Sequence, residues 1–235
     1  MKLSKEDRES LLGIYQSLRV ADVRDGMDCL MLHHQGSMDP AIRPLWRTTA
    51  CGIARTARYV PFKGKIPETD PEKYFEWSGW YYSQVCPYPF MNGIEKGDMV
   101  VIDMSGIDVG LMGSNNSLGG IRAGAAGYIV NGGVRDTDEL ILQKVPFWSR
   151  MVSKSMVQGR IQYDAHDVPV EVGGVTVRPG DMIVADGDGV MVVPLEDARK
   201  VAKYADEEHK RDMKGRADHY KALGMKLDRT VEGGK

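Results

Sequence analysis

An adjacent arginine and aspartate, Arg135 and Asp136, follow an apolar run and two glycines in the segment GYIVNGGVRD (127–136). The planar guanidinium of an arginine suits a carboxylate or an enolate oxygen, and a carboxylate is a hard oxygen ligand that suits Mg²⁺ or Mn²⁺. The pair would therefore serve as part of a site for a 2-oxo acid. A structural salt bridge in a tight glycine-rich turn explains the same two residues, and both interpretations stay open at this point.

A second polar group, GSNNSLGG (113–120), begins a predicted helix over residues 114–125, opened by serine or asparagine. The first turn of a helix has backbone N–H groups without intrahelical partners. Asn115 and Asn116 would therefore present donors to a carboxylate or phosphate, and Gly113 would let that ligand approach closely. Ser114 has the side chain of a helix-capping residue that can also hold a water.

The surrounding elements predict that both groups lie at one edge of a sheet. KGDMVVIDMSG (96–106) predicts a turn and a short apolar strand, and GYIVNGG (127–133) predicts the next strand after the helix. Such a strand–helix–strand unit has parallel strands and a right-handed crossover. Ligands bind beyond the carboxyl ends of parallel strands, so we expect residues 113–116 to converge with Arg135 and Asp136.

The rest of the chain predicts helices over residues 4–18 and 20–32, a strand over 52–60, a β-rich block over 170–194 and a helix at about 195–223. The last helix has a thin apolar stripe, and we expect it to pack on a neighbouring subunit. Residues 61–92, rich in prolines and aromatics, predict an excursion over the surface. It would cover a pocket or a subunit contact, or form a lid-like loop packed on its own domain.

Other residues with chemical potential have simpler structural interpretations. The adjacent histidines favour solvent or capping roles, the Asp-His-Asp spacing favours a polar loop, and the aspartates of VADGDGV favour a turn. Nothing around the two lysines favours a Schiff base. These residues are His33 and His34, then Asp164, His166 and Asp167, then Asp186 and Asp188, and finally Lys144 and Lys154.

Composition excludes several classes of protein. The 235 residues are 42% hydrophobic and have a formal net charge of −2, without the basic surplus of a nucleic-acid-binding protein. The cysteines Cys29, Cys51 and Cys86 indicate buried free thiols rather than disulfides or structural zinc. The N-terminus lacks the apolar region of a signal peptide, and no run of 18 apolar residues predicts a membrane span. We therefore expect a cytoplasmic protein.

The segment AGAAGYIVNGGVRDTDEL (123–140) resembles the signature of RraA-like proteins and of 4-hydroxy-4-methyl-2-oxoglutarate / 4-carboxy-4-hydroxy-2-oxoadipate aldolases. The resemblance covers nearly the whole chain except a probable insertion at about 61–85. It implies a single α/β domain over 1–235, a β/β/α arrangement like the swivelling phosphohistidine domain, and homotrimers or homohexamers. Further matching segments are VADVRDGMD, AIRPLWRTTACGIARTARYV and GGVTVRPGDMIVADGDGVMVVP.

The resemblance also implies a role for each site residue. Asp136 would hold Mg²⁺ or Mn²⁺, Arg135 would contact the keto oxygen of a small 2-oxo acid, and the helix start at Asn115 and Asn116 would bind its carboxylate. Metal-bound water would be held by a glutamate from a neighbouring subunit's C-terminal helix, for which the matching positions are Glu207 and Glu208.

One position departs from the aldolase signature. An acidic residue stands twenty-one positions before the arginine in the signature, and Ser114 stands there in this chain. Serine carries no charge and does not serve as the proton acceptor, so Asp103 or Asp108 would have to replace the acid. We therefore expect an altered substrate, and the aromatic insertion would shape a pocket for a bulkier or ring-bearing one.

These observations favour a divalent-metal-dependent lyase, of class II aldolase or 2-oxo acid decarboxylase type, that acts through a pyruvate-type enolate. Two alternatives remain. One is a non-catalytic regulatory module that contacts another protein, as some RraA-like proteins do; the other is a hydratase or isomerase on the same fold.

Overall fold

A nine-stranded mixed sheet lies at the centre of the computed structural model, which describes residues 3–68 and 70–231. The strand order along its main path is β1-β6-β5-β3-β2-β10-β11, with β4 paired to β5 and β7 paired to β2, while β8 and β9 form a separate hairpin. The strands are β1 (Arg43–Pro44), β2 (Ala50–Pro61), β3 (Asp98–Asp103), β4 (Gly110–Met112), β5 (Ala125–Val134), β6 (Phe147–Val152), β7 (Ile161–His166), β8 (Val170–Val172), β9 (Val175–Val177), β10 (Met182–Ala185) and β11 (Val190–Val193).

Six α-helices flank this sheet within the described residues, together with the π-helical turn Tyr81–Val85 and the 3₁₀ turn Pro89–Gly93. The α-helices are α1 (Lys5–Tyr15), α2 (Val20–Cys29), α3 (Tyr74–Trp80), α4 (Ser114–Ala123), α5 (Thr137–Leu142) and α6 (Ala198–Ala222). The fold is therefore of the α/β class with a long C-terminal helix, as the sequence predicts.

The parallel part of the sheet runs through β2, β3, β5 and β6. Every residue of β3 is buried, which explains its unbroken apolar run, because parallel strands are covered on both faces. Helix α4 connects β3 and β4 to β5, and Ile102 of β3 pairs with Val130 of β5. The predicted strand–helix–strand unit is confirmed, although β3 is shorter than the segment 96–106.

The buried residues of helix α6 all lie in its first turns. Its buried residues are Ala198, Val201, Ala202 and Ala205, which contact α2 and the β10–β11 side of the sheet. Gly224 follows the helix with φ of +65°, the left-handed conformation expected of a glycine that ends a helix. The packing of the remaining turns on a neighbouring subunit stays a prediction.

Residues 61–92 are more deeply packed than the sequence predicts. The rings of Tyr81 and Phe90 are fully buried in the largest core cluster, and the Tyr81 hydroxyl donates to the carbonyl of Ile161 at 2.7 Å. An excursion over the surface is therefore wrong for the part around Tyr81 and Phe90, where the burial of large aromatic rings is favourable. The described residues 63–68 and 70–73 are exposed, as predicted. The segment packs against its own sheet, which was the second of the two alternatives.

The cysteines and the membrane prediction have separate outcomes. All three thiols are free; Cys86 is buried, but Cys29 is exposed, so the prediction that all are buried is wrong. Burial raises the pKa of the Cys86 thiol to about 12.

Among the described residues, no helix combines the length and apolar character that a membrane crossing requires.

Candidate functional site

A cleft of about 180 Å³ opens where β4 and β5 end and α4 begins. Residues from the strand ends, from the start of α4 and from the aromatic segment line it. They are Tyr82, Tyr88, Gly110, Leu111, Gly113, Asn115, Asn116, Arg135 and Asp136. The structure thus brings together the residues that the sequence places at one sheet edge, with the exception of Ser114. Their roles in binding and catalysis stay predictions.

The end of β5 turns sharply at Asp136, which has a left-handed backbone with φ of +55°. Aspartate is one of the few residues enriched in this conformation, and such strained positions cluster at functional sites. The backbone N–H of Arg135 donates to the carbonyl of Met112 at 3.1 Å, which fixes β5 beside β4 at this point. The turn therefore directs the Arg135 and Asp136 side chains into the same cleft.

The Asp136 carboxylate connects β5 to the start of α4. Its Oδ2 atom accepts from the backbone N–H of Ser114 at 3.2 Å, and its Oδ1 atom accepts from Nε of Arg135 at 3.2 Å. About a third of each side chain remains exposed, with 36% for Arg135 and 32% for Asp136. Both groups can therefore still contact a ligand.

Two glycines make this arrangement possible, because they let the Arg135 and Asp136 side chains lie directly against the backbone. A Cβ atom on Gly113 would lie 2.3 Å from Oδ2 of Asp136, and one on Gly110 would lie 2.7 Å from Cγ of Arg135. The sequence predicts that Gly113 admits a ligand; in the structure it admits the Asp136 carboxylate. Gly110 performs the same function for Arg135 and was not among the predicted site residues.

Ser114 does not have the role that its side chain suggests. Helix α4 begins at Ser114, and the residue before it, Gly113, has no side chain to cap this end. The prediction of a serine cap is therefore wrong, because the carboxylate of Asp136 takes the backbone N–H instead. Ser114 also does not line the cleft, which leaves the N–H groups of Asn115 and Asn116 to face a ligand there.

Two tyrosines that the sequence did not single out form one wall of the cleft. The Tyr88 hydroxyl donates to the carbonyl of Leu111 at 3.0 Å and also hydrogen-bonds to the Asn116 side chain. Burial raises the pKa of Tyr88 far above its usual value, so the phenol stays protonated. The Tyr82 ring stacks on that of Tyr88, with centroids 6.3 Å apart and planes inclined by 30°. The only sequence signal for this wall is the density of aromatics in residues 61–92.

The donor set fits a divalent metal that keeps most of its water. Asp136 is the one acidic residue lining the cleft, and the described part of the chain holds no group of three or more metal-binding side chains. Mg²⁺ characteristically binds through one or two carboxylates, several waters and the substrate, whereas a structural cage needs more protein ligands. The cleft therefore suits a water-rich Mg²⁺ or Mn²⁺ site at Asp136.

The other predicted acids lie elsewhere. Asp103 accepts hydrogen bonds from the Asn131 amide at 3.1 Å and the Ser105 N–H at 2.8 Å, Asp108 is exposed, and neither lines the cleft. The hypothesis that one of them replaces the missing acid is therefore not supported. Glu207 and Glu208 lie on α6, also outside this cleft, where Glu208 pairs with Arg211 at 2.7 Å. Their contribution from a second copy stays a prediction.

The weaker candidates have local partners, but the predicted polar loop is wrong for Asp164 and His166, which lie in strand β7. Arginines bind the two aspartates of the Asp-His-Asp segment, the His166 ring contacts the Tyr163 hydroxyl, His33 contacts Asp28, and Asp186 accepts from two backbone N–H groups. The distances are 2.6 Å for Arg58–Asp164, 3.5 Å for Arg55–Asp167, 2.6 Å for Tyr163–His166, 3.0 Å for His33–Asp28, 2.9 Å for Val20–Asp186 and 2.8 Å for Asp188–Asp186. His34, Lys144 and Lys154 do not line the cleft.

The comparison with protein families identifies the chain. Residues 20–192 match the model of the RraA-like family, described as Aldolase/RraA. The chain belongs to the RraA-like family. A curated relative from Deinococcus radiodurans is 37% identical over 102 residues, 43% of this chain and 62% of its own length. One from Halalkalibacterium halodurans is 33% identical over 147 residues, 57% of this chain and 66% of its own length.

Both relatives are provisionally named as 4-hydroxy-4-methyl-2-oxoglutarate aldolases, and the matches span less than two thirds of their lengths. Solved structures agree on the fold. An uncharacterised protein from Pseudomonas syringae superposes with a TM-score of 0.70 at 26% identity, covering 94% of this chain and 96% of its own. RraAS2 of Streptomyces coelicolor, described as an unusual member of the RNase ES inhibitor RraA family, superposes with a TM-score of 0.68 at 23% identity, covering 92% and 98%.

Proposed function

We propose that this RraA-like protein is a divalent-metal-dependent lyase that cleaves a C–C bond of a 2-oxo acid and leaves pyruvate or a close relative. The observation that carries the proposal is the convergence of a guanidinium, a carboxylate and free helix N–H groups in one small cleft. Its volume, about 180 Å³, suits a short organic acid rather than a nucleotide or a peptide. The relatives named as aldolases support the same class of reaction.

Each group of the cleft has a distinct task in this reaction. The N–H groups of Asn115 and Asn116 bind the substrate carboxylate at the positive end of α4. The Arg135 guanidinium donates to the keto oxygen and stabilises the negative charge that develops there as the bond breaks. A Mg²⁺ or Mn²⁺ ion held by Asp136 would add Lewis-acid polarisation of the same oxygen. The tyrosine wall limits access of water to the reacting carbons.

The proton acceptor is the group that this chain does not supply inside its own cleft. Ser114 is neutral and Asp136 is the single acid there. The proposal therefore assigns the acid to Glu207 or Glu208 of a second copy, acting through water in a homotrimer or homohexamer. A double substitution of both glutamates would then reduce turnover while leaving substrate binding at Arg135 intact.

The test is metal-dependent release of pyruvate. The purified protein is treated with a chelator, supplied with Mg²⁺ or Mn²⁺, and mixed with oxaloacetate or 4-hydroxy-4-methyl-2-oxoglutarate, with pyruvate followed through lactate dehydrogenase. We expect release that depends on the metal and is lost in Asp136→Ala. The matched control is Asp138→Ala, two residues further on, exposed and outside the cleft.

Three outcomes would contradict the proposal. Unchanged turnover in Asp136→Ala would exclude the mechanism. Metal binding without pyruvate release would indicate a different reaction on the same fold, such as that of a hydratase or isomerase. Absence of metal binding at Asp136 would favour the non-catalytic regulatory module.

A further inference from the structure

The cleft contains a single cationic side chain for its ligand. Arg135 is the only lysine or arginine among its lining residues, and Asp136 contributes a negative charge. A 2-oxo acid occupies the guanidinium and the helix N–H groups with its own carboxylate and keto oxygen. A second carboxylate at the far end of the substrate would find no cation there, and an unpaired charge in a confined cleft is costly.

One wall of the cleft is aromatic. Tyr82 and Tyr88 stack on each other, and Leu111 completes the apolar part of the lining. The Tyr88 hydroxyl is already occupied by Leu111 and Asn116, whereas no hydrogen bond of the Tyr82 hydroxyl occurs within the described residues. This end of the cleft therefore offers ring surface and one available phenol hydroxyl, which suit an uncharged flat group that has a hydroxyl beside it.

Tyr82 is held in place by its neighbours in the chain. It lies in the wide helical turn Tyr81–Val85, and π-helical turns of this kind recur at functional sites. Tyr81 anchors the turn through its bond to Ile161, and Ser78 accepts from the Gln158 amide at 2.7 Å. The aromatic wall is thus pre-formed and rigid, and a rigid wall selects by shape.

We propose that Tyr82 and Tyr88 select a 4-hydroxy-2-oxo acid whose substituent at C4 is uncharged and aromatic, so that the second product is an aromatic aldehyde. This inference rests on the proposed function. The C3–C4 bond breaks and its electron pair passes to C3 and the keto oxygen of the pyruvate half. The C4 hydroxyl loses its proton to water as it becomes the aldehyde carbonyl, and C3 takes up a proton to give pyruvate, so no oxidant or reductant is needed.

The experiment compares two substrates that differ only at C4. One is 4-hydroxy-2-oxo-4-phenylbutanoate and the other is 4-hydroxy-2-oxoglutarate, in which a carboxylate replaces the phenyl ring. With Mg²⁺ or Mn²⁺ present, we expect kcat/KM to be at least about tenfold higher for the phenyl compound, the size of effect that aromatic contact and burial give. Equal values, or a preference for the dicarboxylate, would overturn the inference.

Substitutions of Tyr82 test whether the preference for the phenyl substrate arises from the tyrosine wall. Tyr82→Ala should reduce the phenyl-to-carboxylate ratio of kcat/KM about tenfold, whereas Tyr82→Phe, which keeps the ring, should retain most of it. The matched control is Phe75→Ala, because Phe75 lies in the same segment, is 81% exposed and does not line the cleft. A ratio unchanged in Tyr82→Ala, with its circular dichroism spectrum intact, would overturn the assignment to this residue.

A separate readout distinguishes failure of this inference from failure of the proposed function. Metal-dependent exchange of the methyl protons of pyruvate for deuterium, followed by NMR, requires only the enolate half of the reaction. Exchange without a preference for the phenyl substrate would overturn the present inference alone. Absence of exchange would overturn the proposed function and the inference with it.

Discussion

Two of the arginine–aspartate pairs near helix starts, Arg19–Asp22 and Arg135–Asp136, differ in how much of their hydrogen-bonding capacity stays free for a ligand. Asp22 in α2 accepts from the Arg19 side chain, and from the Arg19 backbone N–H at 2.9 Å, while Nδ1 of His209 lies 2.9 Å away. Its side chain is only 2% exposed. Arg135 makes a single 3.2 Å contact to Asp136, and both remain about one third exposed.

The difference separates a structural ion pair from a candidate site. Both carboxylate oxygens of Asp22 accept from Arg19. Arg19 also contacts Asp212 of α6 at 3.0 Å, so this pair joins α2 to α6. The guanidinium of Arg135 has donors to spare, and the glycines around it keep side-chain bulk out of the cleft. Adjacent opposite charges therefore indicate function only when the fold leaves part of their hydrogen-bonding capacity unused.

Disruption of the Arg19–Asp22 pair should have the largest effect, which is a loss of stability. Asp22→Ala removes the three hydrogen bonds that the buried carboxylate accepts from Arg19, which should lower the free energy of unfolding by about 3–5 kcal/mol. Urea or guanidinium unfolding followed by fluorescence measures this loss. Turnover per folded molecule should be retained, and a loss below about 1 kcal/mol would show that the two pairs are equivalent.

Removal of Arg135, the cation of the partly exposed Arg135–Asp136 pair, should reduce catalysis instead of stability. Arg135→Ala removes the donor to the keto oxygen and should lower kcat by about 10²–10³-fold. The free energy of unfolding should change by less than about 1 kcal/mol, because a partly exposed ion pair contributes little. Arg135→Lys keeps the charge but loses the planar fork, so it should restore only part of the rate. Full activity of Arg135→Ala would place the chemistry elsewhere.

A smaller effect should follow from moving Asp136 without removing it. The methyl group of Gly113→Ala would collide with Oδ2 of Asp136, and we expect metal affinity to fall about tenfold, as when a supporting residue of a metal site is altered. Isothermal titration with Mn²⁺ measures it. The control is Gly119→Ala in the same helix, where the added atom would meet only Met91 at 3.7 Å. Equal affinities in both variants would contradict the close-approach argument.

The smallest effect is on the pH dependence of stability. Burial raises the pKa of Asp22, but the hydrogen bonds and charge of Arg19 outweigh it, so the pKa lies below its usual value. The stabilisation is therefore present above about pH 4, the usual pKa of an aspartate, and is lost as the pH falls below it. Between pH 5 and pH 3, the wild-type protein should lose about 1 kcal/mol more than Asp22→Asn. Parallel pH profiles would contradict this.

The sequence predicted those parts of the molecule whose cause is local. The apolar runs of β3 and β5 and the glycine-rich start of α4 are close in the chain, so strand type, parallel pairing and the resulting cleft follow from residues 96–136. The aromatic wall does not follow, because neither apolar periodicity nor turn motifs show which ring of Tyr81 and Tyr82 faces the core. That choice depends on Ile161, some eighty residues away.

The Arg19–Asp22 pair shows the same limit. Asp22 lies three positions after Arg19. The link that the pair makes to α6 depends on His209 and Asp212, nearly two hundred residues later in the chain. The left-handed backbone of Asp136 likewise has no signal in the sequence, and the requirement for Gly113 is visible only when the carboxylate is placed beside it.

Tyr81 and Tyr82 are joined by one peptide bond, yet the first ring is sealed in the core while the second faces the cleft. Position 81 therefore attaches the segment to the core, whereas position 82 lines the cleft, and the two can vary independently. Exchange of the side chain at position 82 can retune the cleft for ligands of other shapes without loosening the attachment of the segment. This makes the position a natural starting point for directed evolution of the protein, because a library there samples selectivity at little risk to folding.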